Sequence, residues 1–569
     1  MIKLLLGDEA CARGAYEAGC RVATAYPGTP STEILEALVK YKEVYCEWST
    51  NEKVALEVAL GAANAGARSL VAMKHVGLNV ASDPLFSSAY IGVKAGMVIV
   101  TCDDPGMHSS QNEQDNRFYG LFAKLPVLSP SDSQEVKDFT KLAFEISEEF
   151  EIPVILRLTT RVSHSKSPVK LEERKELPVK GYNSEVWRTN LLPQFARKRH
   201  RVLEEKLINL EAYSEKTPIN RIEEGRKSFG IIADGVAYLY ARDAFPNASF
   251  LKLGMVYPFP KNLVRNFAQR VRKVYVIEEV DPFLEILTKA SGVKALGKEL
   301  LPLCDELNPL IVKNALKKKK KKVKREEAIP RPPALCPGCP HTGVFYLLQR
   351  KNLILTGDIG CYTLGALPPH KAMDTCVCMG ASITFAHGIE KALGKTDPRR
   401  IVALIGDSTF FHMGVPGLIN VGYNKGNIVT IVFDNRTTGM TGHQDHPGTG
   451  KTLMGETTRI IKVEELARAC GIERVYVLDP YKIKENRRLI REIFAEEGPA
   501  VIVSSRPCAL LVPRKEAKRI ISELCNGCKL CLQLGCPAIM FKEEKAVIQD
   551  AFCVGCGMCQ ELCQKGAIV

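Results

Sequence analysis

The sequence predicts an α/β protein of several doubly wound domains with a small cysteine-rich module at its C-terminal end. Three observations predict it. The chain has 569 residues, several times the ~150 that one ordinary domain uses. Short β-rich runs alternate with helical stretches through most of its length, the rhythm of parallel sheets covered by helices. Eight of the 20 cysteines fall between Cys525 and Cys563, where that rhythm gives way to closely spaced thiols.

Residues 1–165 carry the β-rich runs KLLL, VATAY, VYCEW, SLVAMK, GMVIVTCD and VILRLTT, separated by helical stretches such as DEACARGAYEAG and EKVALEVALGAANAG. In such a domain ligands gather at the carboxyl ends of the strands. Residues 161–227 are charged and are expected to form an irregular connection. A smaller α/β unit completes the stretch 166–312, with FGIIADG, SFLKLGMVYPFP and KVYVIEEV as strands. Residues 313–334 form a basic linker, and nine positive charges fall between Lys313 and Arg325. The third α/β domain, 335–512, has RRIVALIGD, NIVTIVFDN, RVYVLD and AVIVSSR as strands, and 513–569 is the cysteine module.

Composition excludes several classes. With 46% hydrophobic and 25% charged residues, the chain is neither disordered nor fibrous. No apolar run reaches the ~18 residues of a membrane span, and the apolar stretch before Asp8 and Glu9 is too short for a signal peptide. A cytoplasmic protein with no membrane partner is expected, in which cysteines read as metal ligands or reactive thiols before disulfides. The net charge of +14 is concentrated in the lysine run. That run reads as a solvated linker, and with no nucleic-acid-binding motif beside it no nucleic-acid partner is expected.

Cys525, Cys528 and Cys531 follow a C-x2-C-x2-C spacing, with Cys536 before Pro537; Cys553, Cys556 and Cys559 repeat it, with Cys563 after. Three thiolates on one tight loop each bind one iron of a cubane, and the fourth ligand comes from the other run. Cys563 then completes the first 4Fe-4S cluster and Cys536 the second. The four-residue gap before Cys536 and Gln564 in place of a proline depart from the usual bacterial pattern without removing a ligand. Zinc sites come instead as separated pairs of ligands. The module resembles a two-cluster ferredoxin.

Gly406, Asp407 and Ser408 end one strand of the third domain, and Asp434 and Asn435 end a later one. A carboxylate and an amide at the tips of two parallel strands supply oxygen ligands to a magnesium ion that a diphosphate completes. The spacing resembles the thiamine diphosphate motif. By that resemblance the Thr437 carbonyl is the third protein ligand, and Asp434 stands where asparagine is commoner, which leaves the metal role on Asn435. Such enzymes also need a carboxylate, in an apolar pocket of another domain, that exchanges a proton with the aminopyrimidine ring. Glu52, opening a helix rich in alanine and glycine, is the candidate; Glu57, further into the helix, is its rival. Upstream, AYPGTPSTE reads as a strand end, a Pro-Gly-Thr-Pro turn and a Ser/Thr N-cap with an acid in the first turn.

Taken together, YPGTPSTE, NEKVALEVALGAANAG, RPPALCPGCPH, IGDS with DNRTTGMTG, and the cysteine tail make the chain resemble the 2-oxoacid:ferredoxin oxidoreductases over essentially its whole length. Within them it resembles the large subunits that act on indolepyruvate. The resemblance implies two thiamine diphosphate-binding doubly wound domains, pyrimidine-binding over 1–165 and diphosphate-binding over 335–512. Between them it implies a transketolase C-terminal-like domain, and after them the ferredoxin module. It implies oxidative decarboxylation of an arylpyruvate to an aryl-acetyl-CoA and CO2, with electrons leaving through the clusters to a soluble ferredoxin. It further implies a role for Thr29 in contacting substrate or cofactor, a small beta subunit as partner and an α2β2 assembly. Cys336 and Cys339 have metal-ligand spacing, and relatives use a similar C-P-G-C for a further cluster that Cys361 and Cys508 could complete. As residues alone, these four read equally well as a proline-rich turn and buried thiols. Another 2-oxoacid as substrate, or an electron-transfer subunit with idle thiamine domains, are the competing readings.

Overall fold

The computed structural model describes residues 1–317, 332–349, 352–394 and 396–569. Most of the lysine run lies outside the described residues. The chain divides into two compact units, Met1–Arg325 and Glu326–Val569. No helix among the described residues is long and apolar enough to cross a membrane.

The first unit is built on a seven-stranded sheet. Its strands run, in spatial order, Met255–Tyr257, Val127–Leu128, Val154–Thr159, Met97–Asp103, Ser69–Lys74, Val22–Ala25 and Tyr45–Trp48. All neighbours are parallel except the first pair. Every residue of Met97–Asp103 is buried, as a central strand covered by helices on both faces must be. A five-stranded sheet in the same unit comprises Ala295–Leu296, Val274–Ile277, Arg226–Ala233, Ala248–Lys252 and Arg221–Glu223.

Three expectations fail here. KLLL is a strand, Ile2–Leu6, but it pairs antiparallel with Lys166–Lys170 instead of joining the main sheet. SFLKLGMVYPFP is two strands: Ala248–Lys252 enters the five-stranded sheet, while Met255–Tyr257 covers the open edge of Val127–Leu128, where unpaired backbone groups would otherwise be left. The segment expected to be irregular holds a 22-residue helix, Pro193–Ser214, whose few buried residues, among them Leu203 and Leu210, hid its amphipathic signal among charges.

The second unit carries a six-stranded, all-parallel sheet in the order Thr375–Cys376, Leu353–Gly357, Arg400–Gly406, Val429–Asp434, Ala500–Ser505 and Arg474–Leu478. One face of it shares a hydrophobic core with the C-terminal residues. Phe345, Leu348 and Ile490 are buried together with Leu534, Met558, Leu562 and Ile568. The tail is pinned by a hairpin, Ile539–Lys542 with Lys545–Ile548, and by a bridge from Ile520 to Ile568.

Candidate functional site

In the second unit the site grows from the carboxyl edge of the sheet. Arg400–Gly406 is an almost wholly buried strand that ends where a side chain on Gly406 would run into the Tyr362 ring, its Cβ 2.6 Å from Cε1. Glycine lets the turn pass, and Asp407 follows, buried. Its Oδ1 accepts from the Ser408 N–H at 2.8 Å, its Oδ2 from the Arg436 N–H at 2.8 Å, and His446 Nε2 lies 3.2 Å from Oδ2. Burial alone would push the carboxyl up; the His446 imidazole and the two backbone donors overcome it and hold Asp407 below its ordinary value. Asp407 is therefore an ionised carboxylate inside the protein.

The neighbouring strand, Val429–Asp434, delivers the rest. Asp434 accepts a 2.6 Å bond from the Ser505 hydroxyl, and burial, then the charge of Asp407, raise its carboxyl. Asn435 is buried, and its Oδ1 accepts from the Thr437 N–H at 3.2 Å. Thr438 donates to Ser408 Oγ at 2.9 Å. The Thr437 hydroxyl is buried with no hydrogen-bond partner, the mark of a group awaiting a ligand. An ionised carboxylate, an amide and an unsatisfied hydroxyl form an oxygen-rich set that fits a hard divalent cation and a diphosphate.

His446 was not singled out from the sequence; it comes from a loop 39 positions beyond Asp407, with no periodic pattern to reveal it. His341 of the CPGCPH stretch packs edge-on against Phe433 at 5.0 Å, and burial pulls its imidazole down to about 4, so it is neutral near pH 7.

Cys336, Cys339, Cys361 and Cys508 come together beside this edge. Burial, then the charges of Cys361, Cys336 and Cys508, raise the Cys339 thiol. A Cβ on Gly439 would lie 3.5 Å from both Cys361 Sγ and Asn435 Nδ2, and the Cys508 N–H donates to the Asn435 carbonyl. In the tail, Cys525, Cys528, Cys531 and Cys563 line one small cavity, and Cys536, Cys553, Cys556 and Cys559 line another. Gly338, between Cys336 and Cys339, borders the second cavity: a Cβ there would stand 3.6 Å from that of Cys556. A tetrahedral zinc would hold its sulfurs roughly 3.8 Å apart. Among the described residues the one group of three or more candidate ligand atoms within 4.8 Å of each other is Asp8, Glu33 and His164, so no three thiols of a cysteine set stand that close.

In the first unit the corresponding edge holds Thr29 and Glu52. Thr29 is half-buried, and its carbonyl accepts from Ser109 Oγ at 3.3 Å. Ser31 does not cap the following helix. Its hydroxyl donates to the Gly28 carbonyl at 2.7 Å, and Thr32 Oγ1 accepts from the Gly28 N–H at 3.0 Å, so both hydroxyls close the turn. Glu52 is the first residue of Glu52–Asn64, a helix capped by the Asn51 side chain. It is buried under Gly77, where a Cβ would lie 2.6 Å from Glu52 Oε1. Gly61 faces open space, so the close approach comes from the following helix, His75–Val80. Glu57 is exposed and paired with Lys53.

Residues 13–215 match the family model described as pyruvate flavodoxin/ferredoxin oxidoreductase, thiamine diphosphate-binding, and residues 358–504 match the thiamine pyrophosphate enzyme C-terminal binding domain. The chain is 42% identical to an indolepyruvate oxidoreductase subunit IorA of Archaeoglobus fulgidus, over 99% of this chain and 97% of that one. It is 44% identical to the subunit of that name from Methanothermobacter marburgensis, over 99% and 96%. A 2-oxoglutarate:ferredoxin oxidoreductase structure from Magnetococcus marinus aligns with TM-score 0.47 at 18% identity, covering 56% of this chain and 65% of that one. With likeness running end to end, the chain belongs to the family of indolepyruvate oxidoreductase IorA subunits, oxidoreductases of the 2-oxoacid:ferredoxin type.

Proposed function

We propose that this chain carries out thiamine diphosphate-dependent oxidative decarboxylation of an arylpyruvate, indolepyruvate by its relatives' name, to an aryl-acetyl-CoA and CO2. A small second subunit and a soluble ferredoxin are its partners, in a cytoplasmic α2β2 assembly. The observation that carries the reading lies within the second unit: an ionised Asp407 beside Asn435 and an unsatisfied Thr437 hydroxyl, with three sets of four cysteines leading away from that edge.

When bound, thiamine diphosphate supplies the electron sink for decarboxylation and iron–sulfur clusters accept electrons singly. The chain's share is binding, protonation and exclusion of water. Asp407, Asn435 and Thr437 hold magnesium and the diphosphate, with Gly406 and Ser408 in the turn beneath. Glu52 holds and releases a proton at its carboxylate from its buried position under Gly77. Cys525, Cys528, Cys531 and Cys563 hold one 4Fe-4S cluster, and Cys553, Cys556, Cys559 and Cys536 a second. Cys336, Cys339, Cys361 and Cys508 hold a third, nearest Asn435, and the contact of Gly338 with Cys556 supports its place at the head of the path. Thr29 contacts the substrate.

The test is anaerobic. The chain with its partner subunit, thiamine diphosphate, magnesium and coenzyme A is offered indolepyruvate, pyruvate and 2-oxoglutarate separately, and bleaching of the iron–sulfur absorbance is followed. Bleaching with indolepyruvate that Glu52→Gln and Asp407→Ala abolish is the expected result. Bleaching with another 2-oxoacid alone moves the substrate; none with any sinks the reading.

A further inference from the structure

The strand Ser69–Lys74 ends at the same edge as the Thr29 turn, and its last residue plays no part in the scheme above. Lys74 lies against the turn: a Cβ on Gly28 would stand 3.2 Å from Lys74 Cβ and 3.9 Å from its Cδ. Its Nζ donates to the carbonyl of Ser109, and Ser109 Oγ in turn donates to the Thr29 carbonyl at 3.3 Å. Three residues on, Gly77 covers Glu52. One short segment therefore places an ammonium group and the lid of the buried carboxylate side by side.

No carboxylate among the described residues makes an ion pair with Lys74. The nearest acid by charge, Asp104, is occupied: it accepts from the Ser109 N–H and from the Ser110 and Thr160 hydroxyls. Burial draws Lys74 down to about 8, and Asp104 only partly opposes it. A half-buried ammonium with one carbonyl acceptor keeps further N–H donors with which to hold an anion.

We propose that Lys74 anchors the carboxylate of the 2-oxoacid substrate beside the Thr29 turn. This rests on the function proposed above, and it adds a residue that contacts the part of the substrate every 2-oxoacid shares. The chemistry gives it a signature. The substrate carboxylate loses its charge as it leaves as CO2, so the attraction to Lys74 is strongest in the ground state. An interaction of that kind sets KM and does not accelerate the chemical step.

In the assembled enzyme, Lys74→Gln is expected to raise KM for indolepyruvate at least about tenfold with kcat unchanged or higher, and Lys74→Arg to restore KM to within about threefold. An unchanged KM in Lys74→Gln overturns the proposal, as does a joint fall of kcat and melting temperature that arginine does not rescue. A binding measurement decides the matter independently of turnover, with indole-3-acetate and indole-3-acetamide titrated against both proteins. Preference for the acid in wild type and its loss in Lys74→Gln support the anchor; equal preference in both proteins overturns it. Absence of turnover in wild type would instead count against the proposed reaction, with the acid–amide comparison still reading Lys74.

Discussion

At the scale of single residues, one methyl group is enough to test the Glu52 carboxylate. Gly77→Ala would put a Cβ 2.6 Å from Glu52 Oε1, closer than contact allows, and a shift of the proposed catalytic carboxylate by about 1 Å is expected to lower kcat about 100-fold with little change in melting temperature. Asp8 offers a second test. It is fully buried; burial, then the charge of Glu33, push its carboxyl well above the ordinary 3.8 against a weaker opposing hydrogen bond from Ser163. The folded protein therefore keeps a proton that the unfolded chain releases near 3.8, and stability falls as pH rises through the interval between the two values. Asp8→Asn removes this dependence and is expected to stabilise the protein at pH 8 by about 1–3 kcal/mol, read by urea denaturation at pH 5 and pH 8. Of the residues proposed for the site, Glu52 was singled out because it opens a helix rich in alanine and glycine, which is a local signal. Gly77 and Lys74 were not, since nothing in SLVAMKHVG marks a strand tip that packs onto a helix and a turn distant in sequence.

At the scale of elements, each cysteine run lends its last thiol to the cavity of the other, Cys563 to that of Cys525 and Cys536 to that of Cys553. Cys563→Ala is expected to remove about four irons per chain from the cavity shared with Cys525, and Cys536→Ala about four from the other. If both substitutions removed the same spectroscopic cluster by electron paramagnetic resonance, the division would be wrong. Cys339→Ala is expected to remove a further set of about four; retention of all iron would leave CPGC as a turn. Spacing alone singled out the tail thiols because cysteines two residues apart leave the chain few conformations. The four thiols near Asn435 stayed ambiguous, because Cys361 and Cys508 reach it from opposite ends of a domain. His446 was missed for the same reason: its contact with Asp407 depends on how a glycine-rich loop returns over the sheet.

At the scale of the whole molecule, the first unit depends on a buried charge network. Arg117 is fully buried and pairs with Asp115, Asp234 at 3.2 Å and Glu278 at 2.9 Å. Removing one partner of a buried set leaves the others uncompensated, so Arg117→Met is expected to cost about 3–5 kcal/mol, seen as a lower urea midpoint. Burial raises Glu279 from 4.5 to about 7 against opposition from the Leu307 N–H and Arg157. Its contribution is greatest below pH 4.5 and is lost as pH rises through about 7; in Glu279→Gln that decline should flatten.

By itself the sequence determined the α/β alternation, the strand tips carrying Asp407 and Asn435, and the clustering of the tail thiols, because each is encoded within a few dozen residues by periodicity or spacing. Only the tertiary structure decided that Met255–Tyr257 closes the first sheet, that Gly77 covers Glu52, that His446 keeps Asp407 ionised, and that Lys74 makes no ion pair with a carboxylate among the described residues. These depend on which surfaces meet when apolar faces are buried, and burial brings together residues whose separation along the chain carries no local signal.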